Sequence, residues 1–166
     1  MPITNETSLQ TYQNFDGSNT TMLMQSFNTQ LKDNITLSGG IGGSTNFQGK
    51  NSFIFEGKAK YNLNEHFNLQ TRLRNSFSPK GNSSQLRLAA GYKTSLNNNL
   101  SIYVTPYVTA KYSYPEKKLS HDIGAFSGLT YKITPKNSVS CEIQKYNGFN
   151  GGAENVGLNV ILNHNF

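Results

Sequence analysis

Basic side chains in this chain recur two positions apart. Lys58 and Lys60 follow Glu56 in one such series, and Arg72 and Arg74 form another. Alternate residues of a β-strand share a face, so each series marks one side of one strand. If these strands pair through a tight turn with Leu63 opposite Phe67, then Glu56 meets Arg74, Lys58 meets Arg72 and Lys60 meets Gln70. The chemistry on offer is electrostatic: a Glu56–Arg74 ion pair with Lys58, Arg72 and Arg87 beside it. The same parity puts Lys58, Lys60, Arg72, Arg74, Arg87, Lys93, Lys111 and Lys132 on one face, against Glu56, Asp122 and Glu142. Tyr103, Tyr107, Phe126 and Tyr146 share that face. A water-filled space with such a wall favours anions, because fixed positive charge lowers their entry barrier. The alternative is a plugged interior in which these groups only pair with one another.

Catalytic chemistry has less to work with. His66 falls in a turn and His164 on the apolar side of the last segment. His121 and Asp122 lie at a strand end, but adjacent strand residues point to opposite faces and cannot form a simple dyad. Ser120, Ser127 and Glu116 are the available companions for a hydrolase centred on His121. No metal-ligand spacing, phosphate loop or nucleophile motif is present. The expectation is therefore no catalytic residue, no metal and no cofactor. Cys141 is the sole cysteine, so no internal disulfide can form.

The elements that must carry these residues follow from a repeated grammar of alternating strand, short polar turn and alternating strand. Phe27 to Leu31 leads through Lys32-Asp33-Asn34 to Ile35. Tyr61 and Leu63 lead through Asn64-Glu65-His66 to Phe67. Tyr92 to Leu96 leads through Asn97-Asn98-Asn99 to Leu100, and Leu129 to Ile133 leads through Thr134–Ser138 to Val139. Short turns of this composition make hairpins. The links between hairpins (48–51, 78–84, 113–120 and 147–154) are longer. Strands are expected at about 20–31, 35–47, 51–63, 66–77, 85–96, 100–112, 121–133, 138–147 and 155–166. Residues 8–15, within a polar segment 1–19 that ends in the turn Asp16-Gly17-Ser18-Asn19, supply a first strand and raise the count to ten. Eight is the alternative, if the first two segments lie outside the wall; bacterial single-chain barrels take even numbers. The main domain is then 20–166.

Composition fits a barrel in lipid. The 166 residues suit one domain. They are 35% hydrophobic and only 14% charged, with a mean hydropathy of -0.54, which suits a polar lumen beneath an outer face that is apolar at every second residue. No apolar run is long enough for a membrane helix. The net charge of +6 is spread along the segments, which argues against nucleic acid. Met1-Pro2-Ile3-Thr4-Asn5-Glu6 has neither a basic start nor an apolar stretch, so export implies a signal segment already removed. A soluble β-barrel or sandwich is the reading if Met1 is the natural start.

The final stretch sharpens the class. Val156, Leu158, Val160, Leu162 and Phe166 alternate with Asn155, Gly157, Asn159, Asn163 and Asn165. This resembles the closing strand of bacterial outer-membrane barrels, which commonly end on Phe. With its hairpin grammar, the chain resembles the OmpA-like and opacity-type group of small outer-membrane barrels over residues 20–166. The resemblance implies an antiparallel up-and-down transmembrane barrel with tight periplasmic turns, located in the outer membrane. Its implied partners are the lipid bilayer and, through the C-terminal strand, the barrel-assembly machinery. Phe53, Tyr61, Phe67, Tyr92, Tyr112, Tyr131 and Phe166, with Phe47 and Phe77, then read as aromatic girdles at the membrane interfaces. The functions in view are a narrow, weakly anion-preferring passive pore for small ions or solutes, a closed barrel serving as anchor or docking element, and a hydrolase at His121.

Overall fold

The computed structural model describes residues 3–14, 18–46, 49–148 and 155–166. It contains ten strands: β1 (Ile3–Asn14), β2 (Asn19–Lys32), β3 (Ile35–Thr45), β4 (Asn51–Asn62), β5 (Phe67–Phe77), β6 (Ser83–Ser95), β7 (Leu100–Ser113), β8 (Lys118–Lys132), β9 (Asn137–Gly148) and β10 (Asn155–Asn165). Each pairs antiparallel with its sequence neighbours, and β1 pairs with β10 to close the barrel. Closure leaves no strand edge, which a hydrocarbon environment demands, since lipid offers backbone groups no partner.

Local chemistry explains the turn end. Three turns use the same device. Asn64 Oδ1 accepts from the backbone N–H of His66 and Phe67. Asn97 Oδ1 accepts from Asn99 and Leu100. Thr134 Oγ1 accepts from Lys136 and Asn137. A side-chain oxygen that gathers the donors of a chain reversal fixes where the strand ends. Register follows: Glu56 opposes Arg74, Lys58 opposes Arg72 and Lys60 opposes Gln70, as the turn composition implies.

Two elements differ from expectation. The first strand starts at Ile3 rather than residue 8, so the wall begins well before residue 20. From Thr4 to Ser8 it is polar on both faces, and pairing with β2 and β10 makes it a strand, not hydropathy alternation. The anticipated loop at 113–120 is shorter: β7 reaches Ser113 and β8 begins at Lys118, leaving a turn closed by Lys117 at φ 49. Phe15, Asp16, Gly17, Phe47 and Gln48, the loop residues 149–154 and the side chain of Tyr146 lie outside the described parts.

One residue in two faces outward, and most of these are apolar. Leu158, Val160 and Leu162 face out from β10, level with Ile143, Cys141 and Val139 of β9. Aromatics gather toward the two ends of this surface. Tyr61, Phe67, Tyr92, Tyr131 and Phe166 lie toward the turn end, with Phe67 and Tyr92 rings 5.0 Å apart. Phe53, Phe77 and Tyr112 lie toward the loop end, and Tyr112 meets Tyr114 edge to face at 5.1 Å. All seven expected girdle positions are exposed on the outer face, from 37% at Tyr112 to 67% at Phe166.

Candidate functional site: the barrel lumen

The inner face is built by placing large side chains over glycines of the next strand. Met24 lies where a Gly42 Cβ would stand, Asn68 covers Gly91, Tyr107 covers Gly124, Glu142 covers Gly128 and Tyr12 covers Gly157. A Cβ at any of these glycines would lie within 3.0 Å of the covering residue. The inward glycines therefore make room for specific neighbours that lie flat against the wall. Beside them a cavity of about 860 Å³ persists, bordered by residues of all ten strands, with Phe126 as the contribution of β8.

Charge dominates one side of that cavity. Glu56 is buried at the centre of the charge cluster, with 3% of its side chain exposed. Lys58 Nζ donates to Glu56 Oε1 at 2.6 Å. Arg74 Nε donates to Glu56 Oε2 at 2.6 Å, and Arg72 Nε lies 3.7 Å from the same oxygen. Arg72 also donates from Nη2 to Gln85 Oε1. One carboxylate thus sits among three cations, and the surplus is positive. Arg87 extends the cluster. Its guanidinium lies 4.1 Å from the Tyr107 ring centre and 4.8 Å from that of Phe126, and those rings stack at 4.7 Å. The flat rings hold the guanidinium without neutralising it.

The expected lumen residues fall into three groups. Lys58, Lys60, Arg72, Arg74, Arg87, Lys93 and Glu142 border the central cavity. Glu56 is in the same wall but covered by its cations. Lys111 instead lines a second, polar cavity of about 330 Å³ at the loop end with Lys80, Glu116 and several serines. Lys132 sits at the last position of β8, by the turn. Lys111 and Lys132 are mouth residues: the first lines that loop-end cavity and the second is the last residue of its strand. Glu142 is held by two donors: Tyr103 Oη at 2.6 Å and Asn159 Nδ2 at 2.6 Å. Glu6, Gln10 and Tyr12 of β1, which the parity of the later strands does not reach, also border the cavity.

The histidines do not assemble a site. His121 faces outward, opposite Ala110 and against Leu86, Leu88 and Val108. Asp122 and Ser120 point the other way by strand alternation. His66 contacts Glu65 at 3.4 Å in its turn, and His164 stacks edge to face on Phe166 at 4.5 Å. No cluster of metal-ligating side chains exists among the described residues.

This architecture has solved counterparts. The KdgM porin superposes with a TM-score of 0.61 at 14% identity, over 97% of this chain and 99% of that one. The same porin in complex with disordered oligogalacturonate gives 0.57 at 13% identity, over 97% and 99%. The NanC porin gives 0.52 at 12% identity, over 95% and 98%. The chain has the fold of an outer-membrane porin. No family model matches the sequence, and no curated protein matches it. The likeness is thus one of backbone, and the OmpA-like or opacity-type grouping finds no support in these counterparts.

Proposed function

We propose that this porin-fold barrel is a passive pore of the bacterial outer membrane that favours anions. The observation that carries this is the positive surplus of Lys58, Arg72, Arg74 and Arg87 around a single carboxylate, set beside an open cavity. Solutes that lose water in a narrow lumen respond strongly to such fixed charge. The likeness to a porin solved with oligogalacturonate, an acidic oligosaccharide, supports an acid-bearing solute. Short outer loops leave little material for a docking surface, which disfavours the anchor reading. The aromatic ends of the outer face would sit at the two membrane interfaces, and β10 would be the strand offered to the assembly machinery.

The test is planar-bilayer recording of the detergent-refolded protein under a potassium chloride gradient. Steady small currents with a reversal potential on the chloride side support the pore. Folded, inserted protein without current supports a closed barrel.

A further inference from the structure

The lumen carries charge of both signs, and the two signs stand across from each other. With ten strands in sequential order, each strand faces the one five places on. The cations bordering the cavity lie on β4, β5 and β6: Lys58, Lys60, Arg72, Arg74, Arg87 and Lys93. Opposite them run β9, β10 and β1, where Glu142 and Glu6 border the same cavity. Tyr103 and Asn159 hold the Glu142 carboxylate, and no cation pairs with it among the described residues. Asn159 itself is fully buried, so this clamp is rigid. Glu6 has no hydrogen-bond or ion-pair partner among the described residues. Neither acid is needed to satisfy a basic neighbour, unlike Glu56.

We propose that Glu142 and Glu6 are specificity-determining residues that turn the lumen into a transverse field. The field favours small zwitterions, with an acid group toward β4–β6 and an ammonium group toward β9–β1, over simple anions of equal size. A plain anion is drawn to one wall and repelled by the other, whereas a zwitterion is attracted at both ends. This rests on the pore reading above and narrows it to a solute class.

The test is efflux of labelled 2-aminoethanesulfonate and 2-hydroxyethanesulfonate from proteoliposomes. The two solutes match in size and acid group and differ in the ammonium charge. Wild-type protein should pass the amino compound about twofold to fivefold faster, as expected for one extra screened charge contact. In the double variant Glu6→Gln, Glu142→Gln that ratio should fall to about one, with faster passage of the simple anion. Glu6→Gln alone, which removes no hydrogen bond, should move the ratio part of the way and covers poor folding of the double variant. An unchanged ratio in variants that still conduct overturns the field while leaving the pore intact. No efflux of either solute from folded wild-type protein overturns the pore and the field together.

Discussion

The two halves of the lumen wall use acidic residues in opposite ways. On β4–β6, Glu56 is buried beneath Lys58, Arg72 and Arg74 and serves to hold cations side by side. On β9, Glu142 is clamped by neutral donors, a phenol and an amide, and keeps its charge unmatched. The comparison teaches that a carboxylate's role is set by its partners rather than by its place in a barrel. Among cations it is a brace that lets like charges share a small area. Among neutral donors it is a pole.

The largest way to break this contrast is to remove the brace. Glu56→Gln leaves three cations with no counter-charge, and losing one partner of a buried ion cluster costs about 3 kcal/mol once lumen water is allowed for. Urea unfolding from lipid vesicles should show that loss. Glu142→Gln, which strands no cation but leaves one of its two donors facing an amide nitrogen, should cost about 1 to 2 kcal/mol in the same assay. Equal losses would mean that the two carboxylates are both structural.

A second test addresses the flat side chains that keep the cavity open. A Cβ at Gly124 would stand 2.5 Å from Tyr107 Oη and 2.6 Å from the Lys145 carbonyl oxygen. Gly124→Val should therefore displace Tyr107, free Arg87 from its ring and lower the folded yield several-fold, read by heat-modifiable gel migration. Tyr107→Ala should instead keep the fold and widen the lumen, and single-channel conductance should rise by about half as the effective bore grows.

The smallest expected effect comes from salt. The surplus of β4–β6 acts through partly solvated groups, so raising salt from about 0.1 M to about 1 M, which shortens the Debye length from roughly 10 Å to roughly 3 Å, should shrink the anion preference. The fold should persist unchanged by circular dichroism, because its strands are held by backbone pairing.

The sequence revealed the lumen's chemistry better than its geometry. The parity of Glu56, Lys58 and Lys60, the turn Asn64-Glu65-His66 and the alternation of the last strand sufficed for the hairpin register and the Glu56–Arg74 pair, because side-chain period and turn length leave few choices. Two things stayed hidden. The residues of β1 carry no hydropathy alternation at their start, so Glu6 could not be assigned to a wall. The sidedness of charge depends on which strands lie across the barrel, and that requires ten strands and closure at β1–β10. With eight strands, different residues would have faced the arginines.

The most direct measurement of the central claim is the reversal potential of the variant Arg72→Glu, Arg74→Glu, recorded against wild type in the same bilayer and salt gradient. If the β4–β6 cations set ion preference, the reversal potential moves from the chloride side toward or past zero to the potassium side, with channels still present. If it stays where wild type places it, these arginines do not govern permeation and the lumen assignment is wrong.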